Sequence, residues 1–376
     1  MSKKKKKIRT DFRKNRGSRT RPRDLTRDFQ ADQLDLDKAA TRERVSGKGE
    51  LTRKRTVVGA ETVEDETGLR VLPDVDETLC EPGTVLSVHG LLSVVRSDRG
   101  IDYQCATRRL LKTLSTDQRH VVATGDRVLF RPWGHEEGII ERIEPRTGVI
   151  SRTSRGKQHV LVANVDQLLI IASAAEPEIK PNLIDRMLIT AEKSNIRPLI
   201  CINKIDLVDP ARLQPLVGVY GQMGYQVLLV SAESGHGIAT LRRMTMGQKS
   251  VVSGQSGVGK SSLLNAIQPG LELRVRSVSE ENEKGRHTTT TATLIPLDLG
   301  GYIVDTPGIR QFQLWDVIPA EVAGFFRDLR VHINDCRFPD CTHTHEEQCA
   351  VKDAVADGHL DTRRYQSYCH LLENGE

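Results

Sequence analysis

The pattern of apolar and polar positions changes twice along the chain. Residues 1–79 show neither an alternating nor a helical period and are rich in charged residues, glycine, serine and threonine. Such a segment buries too little apolar surface to fold by itself. We therefore predict a largely disordered extension with a short helix near residues 31–44.

Five short runs of alternating apolar and polar residues follow, separated by glycines. Five short strands in so small a span predict a closed barrel, for which an OB-fold is the natural candidate. Arg108, Arg109 and Lys112 fall between the third and fourth runs, where we predict a basic loop that either contacts RNA or is merely exposed. The runs are residues 84–89, 91–96, 101–108, 126–131 and 138–143.

Beyond residue 159, apolar runs alternate with segments that place their apolar residues on one helical face. This alternation predicts a mostly parallel α/β sheet. The clearest helix covers residues 182–194, and we expect Asp185 and Arg186 to form an exposed pair on its surface. The polar and basic residues 152–157 are predicted to be a linker in front of the sheet.

A glycine-rich stretch, G-Q-S-G-V-G-K-S, joins an apolar strand to a helix-forming segment. It is the full G-x-x-x-x-G-K-S phosphate loop in the strand-to-helix context that the motif requires. Its backbone N–H groups can surround a polyphosphate, Lys260 can reach the β- and γ-phosphates as a catalytic residue, and the Ser261 hydroxyl can bind Mg²⁺. The candidate residues are Ser253, Gly254, Gln255, Ser256, Gly257, Val258, Gly259, Lys260 and Ser261.

Base recognition is predicted at N-K-I-D, which follows another apolar strand and comprises Asn203, Lys204, Ile205 and Asp206. The Asp206 carboxylate can accept two hydrogen bonds from the N1–H and amino groups of guanine, which adenine does not offer together. A further apolar strand ends at Ser231 and Ala232, where a backbone N–H can meet the guanine oxygen. These segments predict GTP or GDP as the ligand.

The order of the motifs is unusual, because the guanine motifs precede the phosphate loop. The D-x-x-G motif, with Asp305 near Mg²⁺ and the Gly308 N–H at the γ-phosphate, follows it, so the domain is circularly permuted. With the G-R-H-T-T-T stretch between the two phosphate motifs, this order resembles the circularly permuted GTPases that assemble the small ribosomal subunit, the RsgA (YjeQ) family. The resemblance begins at about Glu81 and continues to the C-terminus.

Catalysis is predicted to involve the polar segment between the phosphate motifs. Thr288 or Thr289 is expected to close over Mg²⁺. Ras-like enzymes place a water-orienting Gln directly after D-x-x-G, whereas this chain has Ile309 there. His287 is the best substitute, and the family carries a His in this motif, although an RNA contact or a plain switch residue remains the alternative. We expect slow intrinsic turnover that a partner accelerates.

Three cysteines and a histidine crowd together near the C-terminus: Cys336, Cys341, His343 and Cys349. Three thiolates and one imidazole are the closed tetrahedral set of structural zinc, with no position left for a substrate. Their spacing matches the zinc motif of the resembled family. The total of seven cysteines is odd, which favours metal binding in a reducing compartment over a disulfide framework.

Charge and hydropathy set the expected environment. The net charge of +5 is uneven, since residues 1–27 carry 13 Lys and Arg against two Asp, and such an arm can condense on nucleic acid or simply aid solubility. The chain has no apolar run long enough for a membrane span and no signal peptide. We expect a cytoplasmic, monomeric protein without a membrane partner.

The fold class expected from these features is a multidomain α/β protein with three folded parts. A basic extension (residues 1–79) is predicted to precede the three folded parts, which are an OB-fold β-barrel that binds RNA (80–150), a circularly permuted P-loop GTPase domain (151–318) and a helical zinc-binding module (319–376). The resemblance implies a GTP hydrolase that binds the small (30S) ribosomal subunit and its 16S rRNA, promotes late maturation and releases assembly factors. The alternative is a regulatory GTPase that docks on a different RNA or on protein.

Overall fold

The computed structural model describes residues 7–12, 53–58, 61–114, 121–154, 157–271, 292–305 and 321–373. The chain forms two compact units, residues 1–164 with 291–294 and residues 165–290 with 295–376. In the first unit the elements are β1 (Lys7–Phe12), β2 (Arg53–Val58), β3 (Glu61–Asp65), β4 (Gly68–Leu72), β5 (Glu81–His89), β6 (Leu92–Ser97), β7 (Asp102–Thr107), α1 (Arg109–Leu114), β8 (Arg127–Trp133), β9 (Glu137–Ile143), β10 (Ile150–Ser154) and β11 (Lys157–Val162).

Strands β5 to β9 form a closed barrel in the order β5-β6-β7-β9-β8, and β8 pairs back onto β5. Neighbouring strands are antiparallel except β7 and β9, which run parallel. This connectivity is that of an OB-fold, so the predicted barrel and its five strands are confirmed. Inward-facing Val85, Val95, Cys105, Phe130 and Ile140 have no exposed surface and form its core.

Three predictions in the first unit differ from the structure. The basic residues after β7 begin the helix α1 instead of a loop, and the described residues of the predicted linker belong to the antiparallel strands β10 and β11. The extension expected to be disordered contains β1 to β4, while its predicted helix lies outside the described residues. Tertiary contacts explain β3 and β4, because at their turn Asp65 and Glu66 accept hydrogen bonds from the backbone N–H groups of Arg146 and Val149 at 3.0 and 2.9 Å.

The second unit contains a parallel sheet in the order β14-β13-β12-β15-β17, with helices between successive strands. Its strands have continuous apolar runs because both faces are covered. The helix predicted at residues 182–194 is confirmed as α2. The elements are β12 (Gln167–Ser173), α2 (Pro181–Lys193), β13 (Arg197–Asn203), α3 (Gln214–Gln222), β14 (Gln226–Leu229), α4 (Ile238–Thr245), β15 (Lys249–Ser253), α5 (Lys260–Ile267), β16 (Thr293–Pro296), which begins in the first unit, and β17 (Tyr302–Asp305).

The C-terminal part of the second unit is a small helical module with α6 (Val322–Phe325), α7 (Ala350–Ala356) and α8 (Thr362–Glu373). Phe326, Leu329, Val351 and Tyr368 are buried in its core, which also includes Ile189 of α2. The module and the parallel sheet are therefore joined by shared apolar packing. None of the helices in the described part of the chain has the length and apolar surface needed to cross a lipid bilayer.

Candidate nucleotide and metal sites

The phosphate loop connects β15 to α5 at the carboxyl edge of the parallel sheet, where the loops of such sheets bind ligands. Gly257 and Gly259 have φ values of 82° and 87°, in the left-handed region that favours glycine. A Cβ at Gly259 would lie 2.5 Å from Nδ2 of Asn203, and one at Gly254 would overlap the carbonyl oxygen of Ile171. The loop therefore requires glycine at these positions to pack against the neighbouring strands.

Lys260 is the first residue of α5, and its ammonium group folds back over the loop. Its Nζ donates hydrogen bonds to the carbonyl oxygens of Gly254 and Gln255 at 2.8 and 2.7 Å. The positive charge is thus held against the concave backbone that would surround a polyphosphate. Ser253, at the end of β15, has a buried hydroxyl with no hydrogen-bond partner among the described residues, so a polar ligand atom would satisfy it.

Asn203 connects the guanine motif to the other two segments. Its Nδ2 donates to the carbonyl oxygen of Val258 in the phosphate loop at 2.9 Å, and its Oδ1 accepts from the Ala232 N–H at 3.2 Å. The side chain is 2% exposed, so these contacts are made inside the protein. Asn203 therefore holds the base-reading and phosphate-reading segments together, and the folded chain forms one site from motifs that the sequence separates.

The remaining residues of N-K-I-D are divided between core and surface. Ile205 is buried, Lys204 has a left-handed φ of 61°, and Asp206 is exposed in a short 3-10 helix. An exposed carboxylate next to the buried Asn203 is in a suitable place to accept hydrogen bonds from a base. The Lys204 ammonium donates to the carbonyl oxygen of Glu176, a residue that the motif analysis missed.

Ser231 lies in the loop after β14 and is fully buried. Its Oγ accepts a hydrogen bond from the Ser234 N–H at 3.0 Å, and its N–H donates to the His236 carbonyl oxygen at 3.0 Å. These bonds shape the loop that presents Ala232. Of the other candidates, His287, Thr288, Thr289 and Gly308 lie outside the described residues. Asp305 ends β17.

Cys336, Cys341, His343 and Cys349 converge, with their ligand atoms all within 4.8 Å of one another. Cys336 Sγ lies 3.4 Å from His343 Nδ1 and 3.9 Å from Cys349 Sγ, and Cys349 Sγ lies 3.5 Å from His343 Nδ1. A tetrahedral zinc ion with Zn–S bonds of about 2.3 Å and Zn–N bonds of about 2.0 Å separates its ligands by about 3.5–3.8 Å. The four residues therefore fit structural zinc.

The protonation of this cluster also fits a metal. Burial lowers the pKa of His343, which favours the neutral imidazole that ligates through Nδ1. Burial, together with the thiols of Cys349 and Cys336, raises the pKa of Cys341 to about 12. A bound cation is then needed to stabilise three neighbouring thiolates. Tyr365 and Tyr368 donate to the carbonyl oxygens of His343 and Thr342, both at 2.8 Å, and fix the loop from outside.

Asp185 is not part of an exposed pair as the sequence suggested, because its side chain is fully buried. It pairs with Arg364 of α8 and accepts a hydrogen bond from the Tyr220 hydroxyl at 2.8 Å. Arg364 is 3% exposed and also donates to both carboxylate oxygens of Asp328 at 2.9 and 3.1 Å. Burial raises the pKa of Asp185, and the positive charge of Arg364 acts in the opposite direction and lowers it. This ion pair joins α2 of the sheet to the metal-binding module.

Comparisons with known proteins point to a family of GTPases. The family model of the RsgA GTPases matches residues 143–315. The small ribosomal subunit biogenesis GTPase RsgA of Sodalis glossinidius is 37% identical over 78% of this chain and 86% of its own length. The protein of the same name from Chlorobaculum parvum is 38% identical over 80% of this chain and 99% of its own.

Two solved structures share the fold. The crystal structure of YjeQ from Thermotoga maritima is 34% identical with a TM-score of 0.65 and covers 78% of this chain and 98% of its own. The circularly permuted GTPase YloQ is 30% identical with a TM-score of 0.62, covering 78% of this chain and 94% of its own. The order of motifs, the closed barrel and the Cys₃His cluster lead to the same assignment. The chain belongs to the RsgA family of circularly permuted GTPases and is a GTP hydrolase.

Proposed function

We propose that this GTPase acts in the cytoplasm on the small ribosomal subunit, where it binds 16S rRNA, promotes late maturation and helps to release assembly factors. The observation that carries the nucleotide part is the double hydrogen bonding of Asn203, which joins the guanine motif to the phosphate loop. The ribosomal part is supported by the names of the relatives, which describe small ribosomal subunit biogenesis.

The nucleotide chemistry assigns a task to each segment. Asp206 reads the guanine base, and the backbone of residues 254–259 surrounds the phosphates. Lys260 exchanges its two carbonyl partners for β- and γ-phosphate oxygens. There its positive charge stabilises the negative charge that develops during phosphoryl transfer. Ser261, Asp305 and one of the two switch threonines offer hard oxygen donors that suit Mg²⁺, which supplies further neutralisation of the phosphates when bound.

Hydrolysis on this chain is proposed to be slow until the subunit is bound. The residue after Gly308 is Ile309, which cannot orient water. His287 is assigned that task, and docking on the subunit is proposed to bring it to the attacking water. The Cys₃His cluster holds one structural zinc ion, since its four protein ligands leave no position for a substrate.

The test is co-sedimentation of the protein with purified small subunits, in GDP or in a non-hydrolysable GTP analogue. We expect binding in the analogue, weak binding in GDP and a GTP turnover that the subunits raise. His287→Ala should lose the stimulated turnover while it keeps its affinity for nucleotide. If subunits neither bind the GTP-analogue form nor change turnover, the ribosomal assignment is wrong, and an RNA or protein target of another kind replaces it.

A further inference from the structure

The loop after β12 contacts the guanine motif, although no recognised motif includes it. The Lys204 ammonium donates to the carbonyl oxygen of Glu176, and the Ala174 N–H donates to the carbonyl oxygen of Asn203 at 2.8 Å. Two successive residues of N-K-I-D are therefore bonded to residues 174–176. The Glu176 side chain is exposed, so the loop acts here through its backbone and not through the carboxylate.

The same loop lies beside the phosphate loop. Pro177 Cδ lies 3.6 Å from the position of a Cβ built on Gly257, and Lys204 Cε lies 3.9 Å from a Cβ built on Gly259. The stem of Lys204 thus runs beside the last glycine of the phosphate loop before its ammonium reaches Glu176. Lys204 and residues 174–177 therefore form a continuous band. One end of this band lies beside Gly259 of the phosphate loop and the other end beside Gly257.

Both residues that meet in this band have unusual backbone conformations. Glu176 has a φ of 51° and Lys204 a φ of 61°, in the left-handed region that non-glycine residues seldom adopt. Such conformations persist where surrounding contacts hold them, and they concentrate at ligand-binding sites. The hydrogen bond from Lys204 to Glu176 joins the two strained positions directly.

We propose that residues 174–177 are a positioning element of the nucleotide site, with the Glu176 carbonyl as the group that fixes Lys204. This inference rests on the proposed binding of guanine nucleotide. The fixed ammonium orders the alkyl stem of Lys204 before the ligand arrives, so the stem can cover a purine face without a further loss of side-chain entropy. The consequence is slow release of bound nucleotide.

The test compares variants that change the backbone preference at Glu176. Valine is strongly disfavoured at positive φ and glycine is tolerated, while both remove the same carboxylate. We expect Glu176→Val to release GDP about tenfold faster than wild type, equivalent to ~1.4 kcal/mol. Glu176→Gly should release it more slowly than Glu176→Val. The matched control is Glu178→Val, an exposed glutamate whose φ is not positive.

Release is measured by displacement of GDP that carries a methylanthraniloyl fluorophore on its ribose, with GTP turnover measured in parallel. The KM for GTP should rise in Glu176→Val without a matching fall in kcat, because the contact serves ground state and transition state equally. Thermal unfolding without nucleotide checks the fold. If Glu176→Val is poorly folded, Pro177→Ala, which removes the ring that lies beside Gly257, is expected to speed release several-fold.

A double-mutant cycle with Lys204→Ala completes the test. Glu176→Val should add little to the release rate of Lys204→Ala, since both act through one hydrogen bond. The inference is wrong if the two effects add fully, if Glu176→Gly equals Glu176→Val, or if Glu176→Val equals wild type. A wild-type protein that binds no labelled GDP would instead refute the proposed nucleotide function.

Discussion

Asp206 is an exposed carboxylate in the short 3-10 helix that follows the buried strand β13, and base choice is expected to depend on it. Asp206→Asn replaces the acceptor for the guanine amino group by an amide, which suits the carbonyl oxygen of xanthine. We predict that preference moves from GTP towards xanthosine triphosphate. Competition binding among GTP, xanthosine triphosphate and ATP measures this, and unchanged GTP selectivity would contradict the guanine assignment.

Lys260 is a second single residue with a measurable effect. It is expected to determine the rate of phosphoryl transfer, whereas Asp206 determines base selectivity. In Lys260→Ala, the loop loses the cation that bonds to Gly254 and Gln255 and that would meet the γ-phosphate. We predict a loss of at least about a hundredfold in hydrolysis, in line with the size of electrostatic stabilisation in such sites. Single-turnover hydrolysis of GTP measures it. A near wild-type rate would remove Lys260 from the catalytic residues.

At the scale of elements, the Asp185–Arg364 pair fixes α8 against α2. Arg364→Ala leaves the carboxylates of Asp185 and Asp328 without their cation, and loss of one partner of a buried pair costs about 3–5 kcal/mol. We predict a fall of this size in the free energy of unfolding, measured with denaturant. The double variant Asp185→Leu with Arg364→Met should lose less, because it leaves no charge uncompensated at position 185.

The same pair predicts a dependence on pH. Burial raises the pKa of Asp185, and removal of Arg364 takes away the neighbour that opposes this rise. The folded variant then binds a proton at a pH where the unfolded chain does not, so its stability increases as the pH falls. The deficit in the free energy of unfolding of Arg364→Ala relative to wild type should therefore shrink as the pH is lowered towards the ordinary pKa of an aspartate. If the difference in the free energy of unfolding between Arg364→Ala and wild type does not change with pH, Asp185 is not the destabilising charge.

At the scale of the whole molecule, the metal module shares its apolar core with α2 of the GTPase sheet. Purified protein should contain one zinc per chain, and Cys341→Ala should lose it. Because Ile189 packs into this core, loss of zinc should also weaken amide protection in α2, measured by hydrogen exchange. The control is Cys369→Ala, a free cysteine of the same module outside the cluster. Unchanged protection in α2 would show that the two parts fold independently.

The sequence by itself determined the features whose information is local. The phosphate loop, N-K-I-D and the Cys₃His set are contiguous or closely spaced, because each supplies its part of a site from one short segment of the chain. The barrel strands were predictable for a similar reason, since period-two alternation records directly which face is buried. The order of the motifs was sufficient to predict the permutation, and with it the family.

The tertiary structure alone decided the features that depend on partners far apart in sequence. Asp185 looked like a surface residue, but Arg364 lies 179 positions later and becomes its partner only when α8 packs on α2. The role of Glu176 depends on a backbone carbonyl, which every residue possesses and no sequence pattern marks. Strands β3 and β4 likewise form where two carboxylates meet backbone N–H groups of the segment that follows the barrel. Local periodicity does not record such contacts, because their free energy arises only between segments that folding brings together.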